Sequence, residues 1–291
     1  MTEYRLSVRY SGDAAAFVKG KSCGQPSPND NRPVLPFKAF EGNPDFVLSL
    51  ARGLRVIEAF QDRPNGVTVG EASTITGLSR ASVRRLLFTL EALGYATRSG
   101  SGYHLSTRVL RLGFAFLSSH SLATLAVPVL EQISATLHES SSVGVIEGDE
   151  VVYLARSATN RVMSVGLSVG SRLPAYCTSL GRVLLSALPD AELSAYLDRV
   201  DLKSHTPKTI TGKKALIAEI KRVRTQGHSI VDEELELGLR SMAVPVVTRS
   251  GRTVAAMNTG VHASRVGIED LKKRFLPVLK ESALSLGHAL A

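Results

Sequence analysis

The stretch "GLSRASVRRLLFTLEALGY", Gly77 to Tyr95, constrains this chain more than any other part of it. Val83, Leu86, Leu87, Leu90 and Leu93 recur at the three-and-four spacing that collects side chains on one side of a helix. Arg80, Arg84 and Arg85 fall on the opposite side, Ser79 stands where a helix is capped, and Gly94 where one ends. A short helix with a leucine face needs a small core to cover that face, so its neighbours decide what its arginines are for.

The preceding segment "FVLSLARGLRVIEAFQD" places Val47, Leu50, Leu54 and Ile57 on one face of a first helix that "RPNG" stops. In "TVGEASTITG", Thr68 and Glu71 have the spacing of a capping box for a second helix, and Gly77 turns the chain into the third. Two β-prone runs follow, "YATRSG" and "SGYHLS", joined through a Ser-Gly-Ser-Gly turn. Three helices with a tight turn before the third, then a hairpin, make a winged helix-turn-helix over residues 46–107. In that motif the free face of the third helix enters the major groove of duplex DNA, where arginine forks onto guanine or neutralises phosphate. The candidate DNA-binding residues are therefore Ser79, Arg80, Ser82, Arg84 and Arg85, with Arg98 on the wing.

Composition agrees without deciding the matter. The net charge is +9, spread as six basic against five acidic residues in 1–45, seven against four in 46–107, and twenty-two against seventeen in 108–291. So diffuse a charge carries little information about a polyanion partner, and the local arrangement of arginines carries the case. No apolar run reaches the roughly 18–20 residues that span a bilayer, and the first twenty residues lack the pattern of a secretory signal, so the expected compartment is the cytoplasm, with no membrane partner. Two cysteines, Cys23 and Cys177, build neither a disulfide framework nor a cysteine-type zinc site.

Residues 1–45, dense in Pro, Gly, Asn and Ser, are expected to form a disordered arm. After the winged helix, "TRVLRLGFAFLSSHSLATLAVPVLEQISATLHES" is expected to be helical, broken near Ser118–Ser121, with Pro128 near the first turn of the later helix. It supplies a linker helix at 108–122 and opens a second domain at 123–291. There, "SVGVIEGDEVVYLARSA" is expected to form two strands joined at Gly148-Asp149, and "MAVPVVTRSGRTVAAMNTGVHA" a hairpin turning at Ser250-Gly251. Helices are expected in "TSLGRVLLSALP", "DAELSAYL", "GKKALIAEIKRVRTQG" and the closing "GIEDLKKRFLPVLKESALSLGHAL". The fold class is α+β, and the second domain is large enough to hold a small-molecule pocket.

In order along the chain, "LARGLRVIEAF", "GLSRASVRRLLFTLEALGY", "LPAYCTSLGRVLLSAL", "DEELELGLRSMAVPV" and "VAAMNTGVHASRV" resemble the IclR-type transcription regulators from about Phe46 to Ala291. The resemblance implies an N-terminal winged helix and a C-terminal GAF-like effector domain; a homodimer or homotetramer is expected separately, because paired operator half-sites need two-fold symmetry, and no cofactor is expected. "YCTSLGRVLLSAL" and "AAMNTGVHASRV" are most similar to the branch that regulates protocatechuate and 4-hydroxybenzoate catabolism in the β-ketoadipate pathway. Effector binding is then implied at Ser179 and Leu180, and across the pocket at Val231, Ser241, Met257 and Thr259. Tyr176, Met163 and Asn258 join them as neighbours in sequence. Chemistry reaches the same place independently: a helix starting at "CTSLGRVLL" offers unpaired N–H groups and a positive dipole end to a small carboxylate. Arg240 is either a cation for that acid or a structural partner of Glu233 or Glu234.

Catalysis finds little support. Ser179 and Cys177 lack a nucleophile elbow and a histidine partner, "GSGSGY" lacks the Lys-Ser/Thr of a phosphate loop, and the seven histidines show no metal-ligand spacing. The remaining alternative is a ligand-sensing interaction protein that keeps the fold without binding DNA. Salt separates the two, because phosphate contacts make duplex affinity fall steeply with ionic strength.

Overall fold

The computed structural model describes residues 40, 43–61, 63–113, 121–159 and 167–290. The expected arm at 1–45 lies almost wholly outside these residues, as do the middle of the expected linker helix, the break near Ser118, and Met163. The chain divides into two compact units at residues 109 and 110, each described by itself.

The first unit is built from α1 (Leu48–Glu58), β1 (Val67–Thr68), α2 (Val69–Thr76), α3 (Arg80–Ala92), β2 (Ala96–Ser99) and β3 (Gly102–Leu105). Local chemistry sets nearly every boundary. The Thr68 side chain accepts from Glu71 N–H while the Glu71 carboxylate accepts from Thr68 N–H, which closes the capping box of α2. Gly77 ends α2 at φ 69° in the left-handed region, and Ser79 accepts from the N–H of Ser82 to begin α3. At the other end of α3, Tyr95 N–H reaches Leu90 O and Gly94 N–H reaches Glu91 O, the paired bonds of a Schellman motif.

The core of this unit gathers Val56, Phe60, Ala72, Val83, Leu87, Leu90, Ala96 and Tyr103. Two features differ from the sequence reading. The hairpin is part of a three-stranded sheet in the order β1-β3-β2, with Val67 opposite Tyr103 and Thr68 opposite Gly102. Of the expected apolar stripe of α1, Ile57 packs against this core, but Val47, Leu50 and Leu54 are 58%, 62% and 51% exposed, and Val56 and Phe60 are buried in their place. Leu93, one residue past the end of α3, is exposed as well.

The second unit contains α4 (Ser121–Leu137), β4 (Ser140–Glu147), β5 (Glu150–Ser157), β6 (Arg172–Pro174), α5 (Ser179–Ser186), α6 (Asp190–Arg199), α7 (Lys213–Gln226), β7 (Ser229–Asp232), β8 (Leu239–Val247), β9 (Thr253–His262) and α8 (Leu276–Ala289). A π-helical turn at Leu271–Phe275 leads into α8. The six strands form one antiparallel sheet in the order β6-β5-β4-β9-β8-β7. One face packs Val143, Met242, Val244 and Met257 against α4 and α8, and the other packs Val151, Tyr153, Ala243 and Ala256 against α5, α6 and α7. Burying alternate residues on opposite faces yields two separate cores.

Pro128 lies in the interior of α4, not in a first turn. Pro128 and Thr124, whose carbonyl loses its usual donor, are both exposed, so the missing bond falls on the solvent side of the helix and not in the core.

Candidate nucleic-acid interface and ligand cavity

On the first unit the third helix carries its arginines as a free face. Arg80, Arg84 and Arg85 are exposed and have no acidic partner among the described residues. Ser82 is half-buried beside the α3 N-terminus, where Ser79 caps the helix. Arg98 lies on β2, its guanidinium 5.9 Å from the centre of the Tyr103 ring, and the wing turns through Gly100 at φ 58°. Solvated arginines on a reading helix and on its wing present cations and forked donors to a duplex.

On the second unit a cavity lies between the sheet and the start of α5. Its wall includes Ser140, Tyr153, Arg156, Cys177, Thr178, Ser179, Val231, Ser241 and Asn258, with Leu167, Leu173, Leu235 and Leu239 as the apolar part. The Thr178 side chain accepts from Gly181 N–H to start α5 and donates to Pro174 O at 3.0 Å, which pins the helix to β6. Gly181 is required at that approach, because a Cβ there would stand 2.1 Å from Ala175 O.

Four of the residues expected from sequence come together in this wall: Ser179, Val231, Ser241 and Asn258. Tyr176, Leu180, Met257 and Thr259 lie outside it. Leu180 fills space over Gly144, where a Cβ would approach its Cδ1 to 3.3 Å. The Tyr176 hydroxyl donates to Lys203 O at 2.8 Å. Met257 packs with α4 and α8, and Thr259 donates to Ser140 O at 3.1 Å. Strand alternation explains the division: Asn258 and Gly260 share the cavity face of β9, so Met257 and Thr259 project from the other.

Two arginines that sequence reasoning did not single out shape the site. Arg182 is 1% exposed; it donates to Glu234 Oε2 at 2.6 Å and to Tyr176 O at 3.0 Å, and stands 3.7 Å from Glu219. Glu234 also accepts from Ile210 N–H at 3.0 Å, so one buried ion pair ties the start of α5 to the segment that carries Leu235 and Leu239. Arg156 differs. Its Nη1 donates to Ser142 Oγ at 3.2 Å, its Nε is buried without a partner, and it has no acidic partner among the described residues. Burial holds its pKa below the usual guanidinium value, and the group stays cationic at neutral pH.

Arg240 is structural. It pairs with Asp232 at 2.7 Å, instead of with Glu233 or Glu234, and donates to Val266 O at 2.6 Å. Burial pushes the Cys177 thiol up to about 12, so it is protonated at neutral pH and a poor nucleophile. Burial likewise raises the Tyr153 hydroxyl to about 12, which leaves a neutral phenol in the wall. Among the described residues no group of three or more His, Cys, Asp or Glu could hold a metal, and no helix is long and apolar enough to cross a membrane.

A winged helix with a free arginine face, on a chain whose second unit encloses a polar and apolar cavity, defines a DNA-binding regulator with a ligand-sensing domain. The comparisons with known proteins narrow that class. Residues 49–100 match the IclR helix-turn-helix domain and residues 114–288 the bacterial transcriptional regulator IclR C-terminal domain. The chain belongs to the IclR family and is a transcription regulator, not an enzyme. It is 51% identical over 259 residues, 89% of each chain, to the Pca regulon regulatory protein of Pseudomonas putida. A transcriptional regulator from Rhodococcus sp. RHA1 superposes with a TM-score of 0.76 at 47% identity, covering 83% of this chain and 97% of the other. The inducer-binding domain of the Acinetobacter transcription factor PobR, solved as a double mutant with 3-hydroxybenzoic acid, matches with a TM-score of 0.56 at 34% identity, covering 59% of this chain and 100% of that one.

Proposed function

We propose that this regulator controls genes of aromatic catabolism and that its cavity receives a small carboxylic acid of that metabolism as effector. The observation that carries the reading is Arg156, a guanidinium with a buried, unpartnered Nε and the one charged side chain in the cavity wall among the described residues. A guanidinium with an enclosed, unpartnered N–H and no acidic partner is unfavourable, and a carboxylate supplies what it lacks. The likeness to the Pca regulon regulator and to an inducer-binding domain holding a benzoic acid supports the pathway assignment. Arg80, Arg84, Arg85 and Arg98, with Ser79 and Ser82, are the proposed DNA contacts.

The working form is a cytoplasmic homodimer or homotetramer, because paired operator half-sites call for two-fold symmetry. The effector acts by favouring one arrangement of the paired winged helices, with the segment from Thr107 to Ser119 as the coupling element. The test is the thermal stability of the full chain against protocatechuate, 4-hydroxybenzoate and β-ketoadipate, since a ligand of the folded state raises the melting temperature by mass action. A shift with one acid, together with a change in operator retention at that concentration, is the expected result. No shift with any of the three would remove the effector from this pathway and leave the DNA-binding role standing.

A further inference from the structure

In the first unit a groove runs between α1 and α3. Ser49 and Arg52 of α1 and Ser79, Ser82 and Arg85 of α3 are its polar lining, while Leu54 and Leu86 belong to its apolar lining. Arg52 is the residue here that nothing within the unit explains. It is half-buried, its Nε is enclosed without a hydrogen-bond partner, and it has no acidic partner among the described residues. An enclosed N–H that gives up water and gains no acceptor is a cost, and an anion removes it. No carboxylate lines the groove among the described residues, and Arg85 on its other wall is exposed and equally free of an acidic partner. Two guanidinium groups on one groove repel each other until an anion lies between them.

We infer that Arg52 binds a backbone phosphate of the DNA duplex, sharing it with Arg85 across the groove. The inference rests on α3 being the reading helix and adds a contact from α1, outside the six residues named above. A phosphodiester fits better than a base edge, because Arg52 stands on the first helix, which crosses the backbone when the motif docks, and its enclosed Nε keeps it from following α3 into the major groove. It also fits better than a carboxylate from a protein partner. A phosphodiester offers an anionic oxygen to each guanidinium, and Arg80 and Arg84 continue the exposed cationic surface along α3, where a polyanion gains from every one of them. Such a contact fixes the position of the protein on the duplex and reads no sequence.

The experiment is fluorescence anisotropy of the full chain with a labelled duplex of arbitrary sequence, roughly three helical turns long, across a range of salt concentrations. Arbitrary sequence suffices because phosphate contacts are sequence-independent and persist on non-specific DNA. Arg52→Gln is expected to weaken binding about tenfold and to flatten the slope of log affinity against log salt by about 1. Arg52→Lys, which keeps the charge and loses the fork, should retain the slope and lose a few-fold in affinity. Ser49→Glu tests the same contact without touching a buried atom: Ser49 is exposed, and a carboxylate there lies one turn from Arg52 on α1, pairs with it and should weaken the duplex to a similar extent. Parent-like affinity and slope in Arg52→Gln, or in Ser49→Glu should Arg52→Gln fail to fold, overturns the proposal and leaves the α3 contacts standing. Loss of duplex binding that accompanies dissociation of the protein in sedimentation also overturns it, because the groove is then an interface between copies of the chain. A parent whose duplex binding ignores salt sinks this contact and those of α3 together.

Discussion

Two helices of this protein begin alike and end up in opposite surroundings. α3 starts with Ser79 accepting from the N–H of Ser82, and α5 starts with Thr178 accepting from the N–H of Gly181. Each then carries an arginine one turn in, Arg84 on the first and Arg182 on the second. Arg84 is exposed and free of acidic partners among the described residues, whereas Arg182 is 1% exposed and bound to Glu234. The same residue type on the same local scaffold is open to an outside partner in one place and an internal strut in the other. Arg156 is intermediate, half-buried with its Nε enclosed, and like Arg84 without an acidic partner among the described residues. Partnership and burial, more than side-chain identity, determine what an arginine does here.

Arg182→Ala breaks the comparison most severely. It leaves Glu234 as a buried carboxylate without its cation, a change that costs roughly 3–5 kcal/mol. Urea unfolding should show the second unit destabilised by that order, with melting of the winged helix unaltered. Arg84→Ala should leave melting within about 0.5 kcal/mol of the parent, as surface changes do. It should weaken operator binding by about tenfold and, if the contact is to phosphate, reduce the slope of log affinity against log salt by about 1. An Arg84→Ala protein that bound its operator normally would move the interface off α3.

The two caps sharpen the contrast on a smaller scale. Thr178→Ala and Ser79→Ala each remove one cap bond, typically worth about 1 kcal/mol, with the buried Thr178 expected at the upper end of about 0.5–2 kcal/mol and the exposed Ser79 at the lower. Equal losses in thermal unfolding would show that burial does not amplify a cap. The smallest effect concerns the segment beside the cavity. Burial alone would raise the Asp232 carboxyl, but hydrogen bonds from Arg240 and Lys208 outweigh it and hold the group below its ordinary value. The Lys208 ammonium does the same for Glu233. A depressed carboxylate stabilises above its unfolded pKa and loses that contribution as pH falls through the folded one. These two carboxylates should make the second unit lose stability below about pH 4.5, beneath an earlier loss from about pH 6.5 downward that burial of His205 and His228 imposes. Replacing Glu233 with Gln should shrink the lower of the two declines in acid unfolding curves.

The winged helix was largely legible because its boundaries are set by residues close in sequence. Thr68 with Glu71, Gly77, Ser79 and Gly94 each perform locally the role their chemistry suggests. The orientation of α1 was not legible, since Val47, Leu50 and Leu54 compete with Val56 and Phe60 as apolar faces and periodicity cannot say which one meets α2 and α3. In the second unit, "VAAMNTG" announces a strand, but alternation leaves open whether Asn258 or the pair Met257 and Thr259 faces the cavity until neighbouring strands fix the register. Arg156 was missed for a related reason. An arginine in "VVYLARSA" reads as an edge charge, and its significance lies in the absence of a partner, a property of the assembled wall.

The pairing of β1 with β3 has one consequence for how such a reader can change. Thr68 is at once the residue that caps α2 and the residue that bonds to the wing opposite Gly102. The wing is thus fastened through main-chain atoms, which any residue supplies, on the strand that leaves its turn. Arg98, Ser99 and Ser101 can drift or be redesigned without disturbing α3, and α3 can acquire new contacts without loosening the wing. The two surfaces can therefore change independently, each open to selection while the other stays as it is.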